Sequence, residues 1–190
     1  QVRYTVKHLG QVMDTLEKTV TIDVADTEEV RMVWTAPEED FTGYSVEVQV
    51  LQGEELLDYE MTAVDVSSDW NVFPRYGYLT KFGRRSYEET QELLTELSKY
   101  HINGLFYYDH IDRHDKPLAG TPDDPAESWT NLANQEVYKS TIDDLIRVGH
   151  QLNMKSFSYN LIFGAYPDYE SLGIQTEWGM FKDRTHTEFD

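Results

Sequence analysis

From Asp109 to Asp115 the chain reads Asp-His-Ile-Asp-Arg-His-Asp, and five of these seven residues carry carboxylate or imidazole donors. Three kinds of chemistry use such a segment: a metal site, a solvated polar loop, or a loop that hydrogen-bonds sugar hydroxyls. The metal reading must accommodate Arg113, a cation among the donors, and the segment lacks both the His-Glu-x-x-His and the calcium-loop spacing. Lys81 and Asn160 close two other apolar runs, as Asp109 and His110 close theirs, and Tyr107, Tyr108 and Tyr159 stand beside them. Carboxylates and amides that pair with hydroxyls, next to rings that stack on pyranose faces, are what a carbohydrate cleft requires. Trp129 and Trp178 lie among polar neighbours, where each is either a lid over a site or packing beneath one.

The elements that would position these residues can be read from periodicity. From Val2 to about Val66 the pattern alternates with the period of half-buried antiparallel strands, most clearly at 19–24, 30–34, 44–50 and 59–64. Pro37, the acidic run at 38–40, Thr42-Gly43 and Gln52-Gly53 punctuate these stretches as turns. A small β-sandwich of immunoglobulin or fibronectin type is expected over residues 1–68, as a structural or docking module.

After Ser67-Ser68-Asp69 the pattern changes. Tyr76 to Phe82 reads as a strand, and Ser86-Tyr87-Glu88-Glu89 matches a capping box that opens a helix running to about Tyr100. Thr90, Leu93, Leu94, Leu97 and Tyr100 form its apolar stripe. Leu105 to Tyr108 is a buried strand, and a long polar loop follows it. Tyr138, Thr141, Ile142, Leu145 and Ile146 make a second stripe ending near Gly149, and Met154 to Tyr159 forms the next strand. Strand–helix alternation implies parallel strands joined by crossovers, in a barrel or a doubly wound sheet. No glycine-rich phosphate loop follows any strand, which disfavours nucleotide binding and makes a barrel the better expectation. In such sheets the residues at the carboxyl ends of the strands share one mouth.

The net charge of −19 argues against nucleic acid backbones and anionic membrane surfaces as partners, since like charges repel. No apolar run is long enough for membrane insertion. There are no cysteines, which excludes a thiol nucleophile and thiolate metal sites. The first residue is Gln1 rather than Met, which reads as a processed chain whose export signal would already be gone. No cofactor is expected.

The segments Asp69-Trp70, Phe73-Pro74-Arg75-Tyr76-Gly77-Tyr78-Leu79, Tyr100-His101-Ile102-Asn103-Gly104, Tyr108-Asp109, His114, Lys116-Pro117-Leu118-Ala119-Gly120 and Tyr159-Asn160 together resemble glycoside hydrolase family 66. That family contains endo-dextranases and cycloisomaltooligosaccharide glucanotransferases. The resemblance covers about residues 67–185, and the preceding β region occupies the place of the family's immunoglobulin-like domain. It implies a secreted bacterial enzyme that cleaves α-1,6-linked glucan with retention, on a (β/α)8 TIM barrel of which residues 69–190 are an incomplete first part. The aspartate nucleophile and glutamate acid/base, about 5–5.5 Å apart in a retaining enzyme, are expected on later strands. No catalytic residue is therefore assigned within this chain, and no metal ligand. The resemblance implies an early substrate-binding wall of Tyr108, Asp109, His114, Tyr159 and Asn160, with dextran or isomaltooligosaccharide as partner.

Two other classes of function compete with this one: a noncatalytic carbohydrate-binding or scaffold fragment, and a small metal-dependent hydrolase using the 109–115 cluster. Hydrolysis and transglycosylation share one covalent intermediate and are not separated by these residues. A partial barrel should leave strand edges and apolar faces open, so the chain is expected to oligomerise through them or else to keep its strand–helix region only loosely folded.

Overall fold

The computed structural model describes residues 1–161 and 166–185, in two compact units, Gln1–Pro74 and Arg75–Asp190. The first unit is one antiparallel sheet of strands β1 (Val2–His8), β2 (Gln11–Lys18), β3 (Thr42–Gln52) and β4 (Glu55–Val66), in the order β2-β1-β3-β4. Alternation sorts its side chains. Val2 and Val6 pair with Val50 and Val46 on the apolar face, beside buried Tyr44. The opposite face carries the ion pairs Arg3–Glu17 and Lys7–Glu47 across neighbouring strands.

This unit departs from expectation in two ways. Residues 19–24 and 30–34 are not strands, although they alternate; Val2–His8 and Gln11–Lys18 are strands instead. The sandwich expectation accordingly reduces to one antiparallel layer among the described residues. Alternation makes a segment fit to pair, but a strand also needs a partner ladder, and within 19–41 the backbone instead closes a local turn, in which the Asp26 amide donates to the Asp23 carbonyl. Trp34 still packs edge-on against Tyr44, with ring centroids 5.2 Å apart. Val24 and Val33 remain exposed.

The second unit is built on a parallel sheet of β5 (Tyr76–Leu79), β6 (Gly104–Tyr107) and β9 (Lys155–Ser158), ordered β5-β6-β9. Helices α1 (Tyr87–Lys99) and α2 (Lys139–Gln151) connect successive strands. α1 opens on the expected capping box, in which Ser86 accepts from the Glu89 amide and the Glu89 carboxylate accepts from the Ser86 amide. Both helices end the same way. His101 and Asn153 adopt left-handed backbone after the last turn, and Ile102 and Met154 then bond back to the carbonyls of Leu97 and Gly149, which turns the chain directly into the next strand. Gly149 falls near the end of α2, as expected, although the left-handed turn comes later, at Asn153. It lies inside α2, where an added Cβ would stand 3.1 Å from Leu105, so its missing side chain lets helix and sheet approach.

Leu94 from α1, Leu145 and Val148 from α2, and Leu79, Leu105 and Tyr107 from the sheet form one buried cluster. Both helices thus cover the same face of the sheet. Tyr100 lies outside the stripe expected for it and is exposed, because α1 has already closed at Lys99. The long polar loop contains an unforeseen hairpin, β7 (Ser128–Thr130) paired with β8 (Glu136–Tyr138), whose Trp129 and Val137 join the same cluster.

The opposite face of the sheet is aromatic. Tyr78, Phe106 and Phe157 occupy one row in register, with Phe106 stacked on Phe157 at 4.9 Å and on Tyr78 at 5.4 Å. Tyr76 reaches both phenylalanines edge-on across Gly104. A Cβ at residue 104 would stand 2.6 Å from the Tyr76 ring and 3.3 Å from Phe157. Gly104→Ala is therefore expected to destabilise the second unit by about 1–3 kcal/mol through overpacking. Gly83→Ala, with open space around the new methyl, serves as a near-neutral control. Urea unfolding followed by near-ultraviolet circular dichroism measures both.

Candidate functional site

The parallel register brings the carboxyl ends of β5, β6 and β9 to one end of the sheet, and the next residues extend the ladder by one more step. The Tyr108 amide donates to Leu79 and the Tyr159 amide donates to Tyr107. Tyr108 and Tyr159 consequently stand side by side, with ring centroids 4.6 Å apart, and Tyr78 meets Tyr108 edge-on at 6.4 Å. Asp109 and Asn160 follow these tyrosines at the same end of the sheet, as expected. Lys81 follows β5 and is exposed, as is Asn160, while Asp109 is half-buried. Four of the anticipated wall residues are thus brought together: Tyr108, Asp109, Tyr159 and Asn160.

Asp109 leaves the strand in a left-handed conformation with φ of 54°. Two buried side chains of the β7–β8 hairpin hold this bend. The Trp129 indole donates to the His110 carbonyl at 2.8 Å, and the Asn131 amide donates to the Asp109 carbonyl at 2.7 Å. Trp129, only 7% exposed, is therefore packing beneath the site rather than a lid; Trp178 lies in a short turn at 176–178 and is exposed.

His110 is oriented at both ring nitrogens. Nδ1 lies 3.0 Å from the Tyr107 carbonyl, which accepts its proton, and this leaves Nε2 toward the Ser158 hydroxyl at 3.4 Å. Burial holds its imidazole below the usual histidine pKa, so it is neutral at pH 7. The nearby Asp109 charge, followed by Tyr159, pushes the Tyr108 phenol above its ordinary value, which keeps it protonated and able to donate.

His114 takes a different position. It sits in the tight 112–117 loop, closed by bonds from Asp112 to Pro117 and between Arg113 and Lys116, with its Nδ1 enclosed and unbonded among the described residues. Among the described residues, no hydrogen bond or ring contact joins His114 to the four wall residues. The donors of the 109–115 segment are also dispersed: among the described residues no group of three or more His, Asp or Glu side chains is placed to hold a metal ion.

Arg113, which complicated the metal reading, has a structural task. Its guanidinium makes two bonds to Asp115 and two to Asp168, and lies 4.3 Å from the centre of the Tyr166 ring. It fastens the loop after β6 to the segment that follows β9. Nothing in the local pattern at 109–115 foretold this contact, which spans 55 positions of sequence.

The Arg113 bonds hold the Asp168 carboxyl below its ordinary pKa, and a depressed folded-state value gives stability that is present above the unfolded pKa and lost as pH falls through the folded one. Asp168→Asn is expected to flatten the acid side of the melting temperature profile below about pH 4, an effect weakened by salt. Arg113→Ala should cost more than Asp168→Asn, because it also strands the Asp115 carboxylate, whose side chain is only 4% exposed. Thermal melts from pH 2 to 7 at low and high salt measure both effects.

The model of glycosyl hydrolase family 66 matches residues 1–190. A cycloisomaltooligosaccharide glucanotransferase from Niallia circulans is 33% identical over 99% of this chain, and a second of that name from the same organism is 31% identical over 98%. A dextranase from Streptococcus salivarius is 22% identical over 85% of the chain. The chain spans 19–21% of the length of these relatives. A crystal structure of a Paenibacillus cycloisomaltooligosaccharide glucanotransferase complexed with cycloisomaltoheptaose superposes with a TM-score of 0.80 at 34% identity, covering 98% of this chain and 26% of that one. With a family model matched along its whole length and relatives above 30% identity, the chain belongs to glycosyl hydrolase family 66.

Proposed function

We propose that this chain is the N-terminal part of a retaining, dextranase-like enzyme, and that it supplies one wall of a cleft for α-1,6-linked glucan. The observation that carries this reading is the Tyr108–Tyr159 pair at the carboxyl edge of two parallel strands, flanked by Asp109 and Asn160. Two adjacent phenol rings offer a surface for pyranose C–H faces, while the carboxylate accepts from hydroxyls and the amide both donates and accepts. His114 belongs to this wall as a more distant contact, through the loop that Arg113 organises.

The architecture behind the wall is the first part of a (β/α)8 barrel. Strand order β5-β6-β9 advances in one direction with both helices on one face, as in a barrel wall, and the aromatic face is where an interior would be. The first unit is one layer of an immunoglobulin-like module over residues 1–68. The nucleophilic aspartate and the acid/base glutamate lie on later strands, and the parent enzyme is secreted by a bacterium.

Transglycosylation is a second reading of the same active site, favoured by the two glucanotransferases at 33% and 31% identity beside the dextranase at 22%. The two reactions form one glycosyl-enzyme intermediate and differ in whether water or a sugar hydroxyl accepts the glycosyl group. The wall described here serves either.

Incubated with dextran, the chain alone should release no reducing ends above background, because the carboxylate pair is elsewhere; isomaltooligosaccharide release at an enzymatic rate would overturn that assignment. Isomaltoheptaose should nevertheless bind, and Tyr159→Ala should weaken binding roughly fivefold, the equivalent of about 1 kcal/mol for one ring contact. Isothermal titration calorimetry reads this, and unchanged affinity would remove Tyr159 from the wall.

Association is expected as well. β5 and β9 each have one neighbouring strand among the described residues, and Tyr76 and Tyr78 are exposed on the uncovered face. Light scattering should find oligomers; a monomer at high concentration would show that the edges and the aromatic face do not drive pairing.

A further inference from the structure

Asp109 occupies a position where the ordinary continuation of β6 would misplace it. In an extended strand, side chains two apart share a face, so residue 109 would follow Leu105 and Tyr107 toward the helix-covered core. The left-handed turn at φ of 54° breaks that alternation, and aspartate is among the few residues besides glycine that adopt it readily. Whether the loop keeps this bend then depends on the groups that bond its backbone.

The bend is held from the β7–β8 hairpin. Asn131 is 5% exposed, and its side-chain amide both accepts and donates. Its Oδ1 accepts from the backbone amides of Ala133 and Gln135 at 3.0 and 2.8 Å, which shapes the β7–β8 turn and leaves one orientation for the side chain. Nδ2 is thereby aimed outward and donates to the Asp109 carbonyl at 2.7 Å. One side chain thus closes a hairpin on one side and grips the bend of the neighbouring loop on the other, while Trp129 anchors the next carbonyl.

We propose that Asn131 is a positioning residue for glucan binding, its buried amide holding Asp109 in the left-handed bend that presents its carboxylate beside Tyr108. The proposal rests on the glucan reading of the site. Asparagine suits the task because it accepts with one atom and donates with the other. Aspartate, nearly the same shape, keeps the two acceptor bonds that form the hairpin but at neutral pH has no proton to give the Asp109 carbonyl.

Asn131→Asp in the full chain therefore separates gripping Asp109 from building the hairpin. At pH 7 the variant should retain a cooperative melt and the amide resonances of Ala133 and Gln135. Its Asp109 and His110 amide resonances should shift, with a changed coupling constant at Asp109 that reports a new φ. Its affinity for isomaltoheptaose should fall tenfold or more. Asn131→Ala, which loses both functions, should in addition disturb Ala133 and Gln135. Unshifted Asp109 and His110 resonances in Asn131→Asp, or undiminished isomaltoheptaose affinity beside a wild-type chain that binds, would overturn the proposal. A wild-type chain that does not bind isomaltoheptaose overturns the glucan reading, and the Asp109 and His110 resonances then decide for or against the positioning role alone.

Discussion

The row formed by Tyr76, Gly104 and Lys155 sets the register of the parallel sheet, and everything that follows at its carboxyl edge depends on that register. Because the row aligns all three strands, Tyr78, Phe106 and Phe157 meet in the next row on the same face, and Tyr108 and Tyr159 meet beyond them. A slip of one residue would exchange the faces, turning the tyrosines into the helical core and Leu105 and Tyr107 outward. The buried cluster of Leu94, Leu105, Leu145 and Val148 opposes that slip, since it fits one face only. Packing behind the sheet thus specifies which aromatic rings stand in front of it.

The edge of the sheet is then fastened by polar groups whose own needs are met elsewhere. Asn103 accepts from the Arg75 amide through its side chain and from the Lys155 amide through its carbonyl, joining the starts of β5 and β9. Asn131, Trp129 and Arg113 act at the other end, on the loops that leave the strands. Buried polar atoms cost free energy unless bonded, so each of these contacts both satisfies a group and removes a freedom from the loop it touches. Rigid scaffolds that carry polar loops in this way are common settings for binding sites.

Local signals carried much of this architecture in the sequence. The Ser86–Glu89 box and the leucine spacing of both helices depend on residues a few positions apart, and they read correctly. The alternation at 19–34 was equally plain, yet pairing is decided between distant segments, and no described strand partners that stretch. Gly149 marks the end of α2 to within two residues, but the chain turns at left-handed Asn153, and the glycine's lack of a side chain answers to Leu105 across the core. Tyr108, Asp109, Tyr159 and Asn160 could be grouped because strand order alone places them at one end. Their supports could not. The β7–β8 strands are three residues each, too short for a periodic signal, and the bonds of Trp129, Asn131 and Arg113 reach loops far along the chain.

We propose that the carboxyl edge of the β5-β6-β9 sheet contacts glucan. Amide chemical shifts of the isotopically labelled chain, followed during titration with isomaltooligosaccharide, test it most directly. Saturable shifts centred on Tyr108, Asp109, Tyr159 and Asn160 are expected, with little change in the antiparallel sheet of residues 1–74. Shifts confined to that antiparallel sheet, or absent at the carboxyl edge at saturation, would contradict it.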